Sequence, residues 1–200
     1  MSLTHARPEQ QATSRAVLVA LLRRNAALIQ GVFAVLWSIR LALLSGPWEL
    51  PVVVAAVAFV VTRRAFRSTA PFRARDEFRT PPGRRFLRPV TIMTLIQIAA
   101  SVVLPAFGKV RGRDDLSLAI VAVTIGVFLM FFAVPLQLTV VRWIGLAYTI
   151  AVVGLALFTH GHTLNAWVST TSAAALLACT LCCAAAAGTS LSRASNPTIC

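Results

Sequence analysis

Between two long apolar runs lies the segment 63–88, RRAFRSTAPFRARDEFRTPPGRRFLR, with nine arginines against only Asp76 and Glu77. Carrying such a block through hydrocarbon is costly, so it stays on the cytoplasmic side and sets the direction of every span around it. The rest of the chain supplies the spans. With 58% hydrophobic and 12% charged residues, it departs from a soluble domain, where about a quarter of residues are charged. The apolar residues fall in runs of about 18 or more, the length that crosses a bilayer as a helix.

These runs predict an all-α integral membrane bundle of six transmembrane helices. The spans are expected at about 25–44, 50–66, 89–107, 116–136, 138–158 and 164–187. The polar and basic segment 1–24 precedes them and the tail 188–200 follows. Residues 16–24, AVLVALLRR, either extend the first helix or lie along the interface. Arg23-Arg24 before an apolar run superficially matches a twin-arginine leader, but no small-residue cleavage site follows Leu44, so a retained anchor is expected. Span 2 is the weakest, because its uncharged core stops at Thr62. Gly46-Pro47-Trp48 reads as a tight turn with an interfacial tryptophan, and Pro71 and Pro81-Pro82-Gly83 as breaks in the basic connector. Six spans place fifteen basic residues on the inner side and four on the outer, with both termini cytoplasmic in a bacterial-type inner membrane.

The net charge of +13 is concentrated in the flanks and this connector, so anionic lipid headgroups are the nearest partners. The candidate lipid-contact residues are Arg63, Arg64, Arg67, Arg73, Arg75, Arg79, Arg84, Arg85 and Arg88. Phe66, Phe72, Phe78 and Phe86 interleave with them, giving an amphipathic segment suited to a headgroup layer. Base stacking on nucleic acid is the sharper alternative, but the segment is short and tethered, so no nucleic-acid partner is expected. A partner membrane protein or a second copy remains open.

Two helical faces carry polar side chains. Thr91, Thr94, Gln97 and Ser101 share one face of span 3, and Asn165, Ser169 and Ser172 share one with Cys179 and Cys183 in span 6. Such faces pack helix on helix in ordinary bundles. The functional reading makes Thr94, Gln97, Ser101, Asn165, Ser169 and Ser172 the lining of a passive or facilitated small-solute pathway.

Catalytic constellations are missing. The histidines sit at position 5 and in the turn His160-Gly161-His162, which excludes serine-hydrolase chemistry inside a span. A metal at His160 and His162 would need Asp114 or Asp115 from another connection, so no metal or cofactor is expected. No acid falls near a span centre, which disfavours an ion-coupled carrier. Cys179-x-x-Cys182 has the spacing of a membrane thiol oxidoreductase, the third reading, but lies in an apolar helix half that does not favour thiolate. The reading leans to a non-enzymatic membrane protein acting through lipid or partner contacts.

From Arg85-Phe86 through Gln97-Ile98, Gly126, Phe131 and Pro135-Leu136 the chain resembles a group of small, uncharacterised multi-pass bacterial inner-membrane proteins. Their pattern pairs an Arg-Phe start and a Gln-bearing helix with a Gly-containing helix that closes on an aromatic and Pro-Leu. The likeness covers roughly spans 3 to 5, and the histidine beside that aromatic is absent here. It implies the membrane class and supplies no site.

Overall fold

The computed structural model describes residues 8–70, 74–110 and 116–195, all of them in helices or short connections. The helices are α1 (Pro8–Ser45), α2 (Glu49–Ser68), the short α3 (Ala74–Arg79), α4 (Pro81–Val110), α5 (Leu116–Leu136), α6 (Thr139–Phe158) and α7 (Gly161–Ser195). No strand occurs among the described residues. In an apolar surrounding this is the economical solution, because a helix satisfies its backbone polar groups internally. Five helices are long and apolar enough to cross a membrane: α1, α4, α5, α6 and α7. The second expected span forms as α2, yet it is not among the five. Glu49 at its start and Arg63, Arg64 and Arg67 near its end leave an uncharged stretch from Leu50 to Thr62, about 20 Å of helix.

Residues 16–24 extend the first helix, and Val17–Leu22 are buried. α1 and α7 run about 57 and 52 Å, well beyond the roughly 30 Å of hydrocarbon, and form the central antiparallel pair. Ala20, Ala27, Ala34 and Leu41, seven apart, are buried along α1. Leu176, Cys179, Cys183 and Ala187 form a matching buried stripe on α7. Small side chains let such helices approach closely. α2 packs against both, α5 and α6 form a second tight pair, and α4 lies at the edge against α5.

The turns follow local chemistry. α1 ends at Gly46, whose φ of +92° suits glycine, with its N–H on the Ala42 carbonyl at 2.8 Å. α5 and α6 are joined by Gln137 and Leu138 in a Schellman closure. Leu138 N–H reaches the Ala133 carbonyl at 3.1 Å and Gln137 N–H the Val134 carbonyl at 3.0 Å. Here a glutamine, not a glycine, takes the left-handed position, at φ +54°.

The basic connector proves largely helical. Pro81-Pro82-Gly83, expected as a break, follows the end of α3 at Arg79 and forms the first turn of α4: the Gly83 N–H donates to Thr80 Oγ1 at 3.2 Å, and Pro81 needs no partner in a first turn. A Cβ on Gly83 would collide with the Glu77 carbonyl oxygen and lie 2.9 Å from the Phe78 Cα, so only glycine lets α3 fold back on α4.

Candidate functional site

Contacts between helices bring one end of the bundle together. Arg23 of α1 donates from Nε to the Leu136 carbonyl at 2.8 Å and from Nη2 to the Gln137 carbonyl at 3.2 Å. Its Nη1 donates to the Ala186 carbonyl of α7 at 3.0 Å. A cation against the C-terminal carbonyls of α5 complements the negative end of that helix. Next to it, Arg24 donates from Nη1 to Thr69 Oγ1 at 3.2 Å and lies 4.5 Å over the Phe66 ring. The N-terminal part of α1 therefore meets the C-terminal parts of α2, α5 and α7. Neither arginine was singled out as a tie from the sequence, since nothing local to α1 signals which carbonyls it will meet.

The same end carries the exposed arginines. Arg63, Arg64 and Arg67 project from the last turns of α2, Arg79 from α3, and Arg84, Arg85 and Arg88 from the first turns of α4. Arg73 lies outside the described residues, as does the Arg75 side chain. Of the expected amphipathic aromatic face, Phe78 and Phe86 turn inward and are half-buried, with Leu87, against the core, while Phe66 stays exposed. This leaves the guanidinium groups outside and seats the connector through its rings. Phe72 lies outside the described residues.

Beside Arg63 runs an open groove between α1 and α2, about 440 Å³, walled by Leu28, Gly31, Val32 and Val35 on α1 and by Ala55, Ala58, Phe59, Thr62 and Phe66 on α2. Its floor is shallow because small residues face each other there, and a Cβ on Gly31 would lie 3.3 Å from the Ala58 Cβ.

The two polar faces serve different helix pairs. Gln97 Nε2 donates to Ser101 Oγ at 3.1 Å and to Thr124 Oγ1 at 3.3 Å, tying α4 to α5. Thr94 is exposed and bonds back to the Val90 carbonyl at 2.9 Å. On α7, Ser169 is buried and donates to the Asn165 carbonyl at 2.8 Å, while Ser172 meets the Tyr148 hydroxyl of α6 at 2.5 Å. Interhelical hydrogen bonds in such surroundings average about 0.6 kcal/mol. A Gln97→Leu chain is therefore expected to lose less than about 1 kcal/mol of stability in a detergent unfolding titration. A large loss would show that the amide holds something besides Thr124.

Cys179 and Cys183 are fully buried against α1, Cys182 is half-buried, and all three are free thiols. The Cys183 thiol points at Gln30 Oε1, 3.7 Å away. His160 and His162 are exposed at the start of α7. No group of three His, Cys, Asp or Glu side chains that could hold a metal occurs among the described residues. Cys200 lies outside them. No protein-family model, no curated protein and no solved structure matches this chain.

Proposed function

We propose that the chain is a multi-pass protein of a bacterial-type inner membrane, with α2 as a sixth span beside the five longer apolar helices. Both termini face the cytoplasm, and the protein acts without catalysis, by binding anionic headgroups or a partner membrane protein through its basic end. The observation that carries this reading is the segregation of charge. Seven arginines of the connector are exposed at the end where Arg23 and Arg24 cross α2, α5 and α7. Each basic side chain near an anionic surface adds about 1 kcal/mol of attraction, screened by salt. α2 completes its crossing by letting the long stems of Arg63 and Arg64 reach the interface.

Two measurements test this. Topology reporters fused within residues 70–80 are expected to report the cytoplasmic side, and a periplasmic signal overturns the orientation. The full-length protein reconstituted in vesicles with and without phosphatidylglycerol is expected to show slower proteolysis of the connector in the anionic vesicles. The Arg84→Gln/Arg85→Gln/Arg88→Gln chain is expected to lose most of that difference, as does the native chain at high salt. Equal cleavage in both vesicles ends the lipid reading.

A further inference from the structure

The groove between α1 and α2 has a direction. Its lining on α2 runs from Ala55 to Phe66, about 16 Å of helix, and the part from Ala55 to Thr62 covers about 10 Å, some two thirds of the roughly 15 Å depth of one leaflet. Along this length the walls are aliphatic or aromatic, and polarity enters only at one end, with Thr62 and Arg63. Arg67 follows Arg63 by one helical turn, and Arg24 precedes Leu28 by one turn on the facing helix. The groove is apolar where a leaflet is apolar and cationic where its headgroups begin.

A second observation sets this end apart. Hydroxyls within helices ordinarily return to the carbonyl one turn earlier, as those of Ser169, Ser172 and Thr180 do. Thr62 makes no such return bond: the residue is largely buried, but its hydroxyl is open to the groove, which it lines just inside Arg63. Arg63 itself has no ion pair or hydrogen bond within the described residues. An acceptor-rich group at the junction of chain and headgroup would meet both.

We infer that this groove holds one acyl chain of an anionic phospholipid from the adjoining leaflet. Its ester region lies at Thr62 and its phosphate on Arg63 and Arg67. A transmembrane helix is a poorer occupant, since it would need about 30 Å of contact and the groove supplies about half of that. The inference rests on the basic end facing headgroups, as proposed above, and adds a defined binding position to a diffuse attraction.

The test uses the full-length protein released from membranes into mild detergent. Native mass spectrometry then follows titration with phosphatidylglycerol, with phosphatidylethanolamine as comparator. One phosphatidylglycerol is expected to be retained in preference to phosphatidylethanolamine. Removing two surface cationic contacts with Arg63→Gln/Arg67→Gln lowers its apparent affinity about thirtyfold. Ala55→Trp, which fills the groove and leaves every charge in place, is expected to abolish retention of that lipid. Val32→Trp does the same from the facing helix, should the first variant fail to fold. The Arg84→Gln/Arg85→Gln/Arg88→Gln chain retains the lipid, which separates this site from the general attraction of the connector. Unchanged retention in a folded groove-filling variant overturns the inference and leaves the broader reading untouched. A groove-filling variant that changes oligomeric state instead of lipid retention overturns it in favour of a protein occupant.

Discussion

Gly145→Leu is expected to lower stability by about 3 kcal/mol or more in a detergent unfolding titration followed by circular dichroism. The reason is the nature of the neighbours. A Cβ built on Gly145 lies 2.8 Å from the Gly126 carbonyl oxygen and 3.0 Å from the Met130 nitrogen, both backbone atoms that cannot swing aside. From the other side, a Cβ on Gly126 would collide with Thr149 Oγ1 and lie 3.1 Å from the Tyr148 ring. α5 and α6 thus cross through two facing glycines, and Thr149, bonded at 2.8 Å to the Gly145 carbonyl, lies one turn along the same face. Close approach through small residues supplies most of the association between helices in lipid, where no hydrophobic drive remains. Gly154→Leu is the matched control. Nothing lies within 4 Å of its added Cβ, so that chain is expected to match or slightly exceed the parent, because glycine is a poor helix former. Gly126→Ala and Gly145→Ala combined are expected to cost less than the sum of the two, since either one separates the same pair. Equal unfolding midpoints for Gly145→Leu and Gly154→Leu would show that the crossing is not tight.

The second large effect is expected at Arg23. Its guanidinium joins α1 to the closing carbonyls of α5 and to the Ala186 carbonyl of α7, through bonds of 2.8 to 3.2 Å. Hydrogen bonds from a charged donor contribute about 1.5–3 kcal/mol each, and truncating the donor leaves partly buried carbonyls without a partner. Arg23→Leu is therefore expected to cost about 3–5 kcal/mol, and to expose the Gln137 corner to limited proteolysis. Lysine keeps the charge but not the flat fork that spans carbonyls of two helices, so Arg23→Lys recovers only part of the loss. Arg24→Leu is milder, at about 1–2 kcal/mol, because it gives up a bond to the Thr69 hydroxyl, a long one of 3.4 Å to Asn25 Oδ1 and a ring contact with Phe66. Arg23→Leu and Arg24→Leu with equal costs would refute the assignment of Arg23 as the tie between three helices.

Much of the local structure was legible in the residues. α5 coincides with the expected span 116–136, and α6 begins one residue after its expected start. The Gln137-Leu138 turn separates the two, and Gly161 follows the end of α6. Where a helix runs past the expected span, one physical cause applies. Hydropathy marks where a helix leaves apolar surroundings, not where its hydrogen bonds stop. α1 thus begins well before Asn25, α4 starts at Pro81 under a Thr80 cap, and α7 continues to Ser195. α2 shows the converse, a helix whose charged ends shorten its apolar core although its backbone continues to Ser68.

The candidate site divides along the same line. The arginines of 63–88 were visible as a charge block, and the exposure of the seven described ones needed only the rule that unpaired guanidinium groups stay in water. The inward turn of Phe78 and Phe86, the reach of Arg23 to carbonyls more than a hundred residues away and the groove beside Arg63 were not visible. Each depends on which helices become neighbours, and apolar faces of similar composition do not encode that choice residue by residue. The sequence alone determined that this chain is helical, apolar and charged in one concentrated block, because those properties follow from side-chain chemistry summed along a segment. Only the tertiary structure decided which glycines meet, which arginine closes three helices and where a groove remains open, because packing selects among many pairings that composition leaves equal.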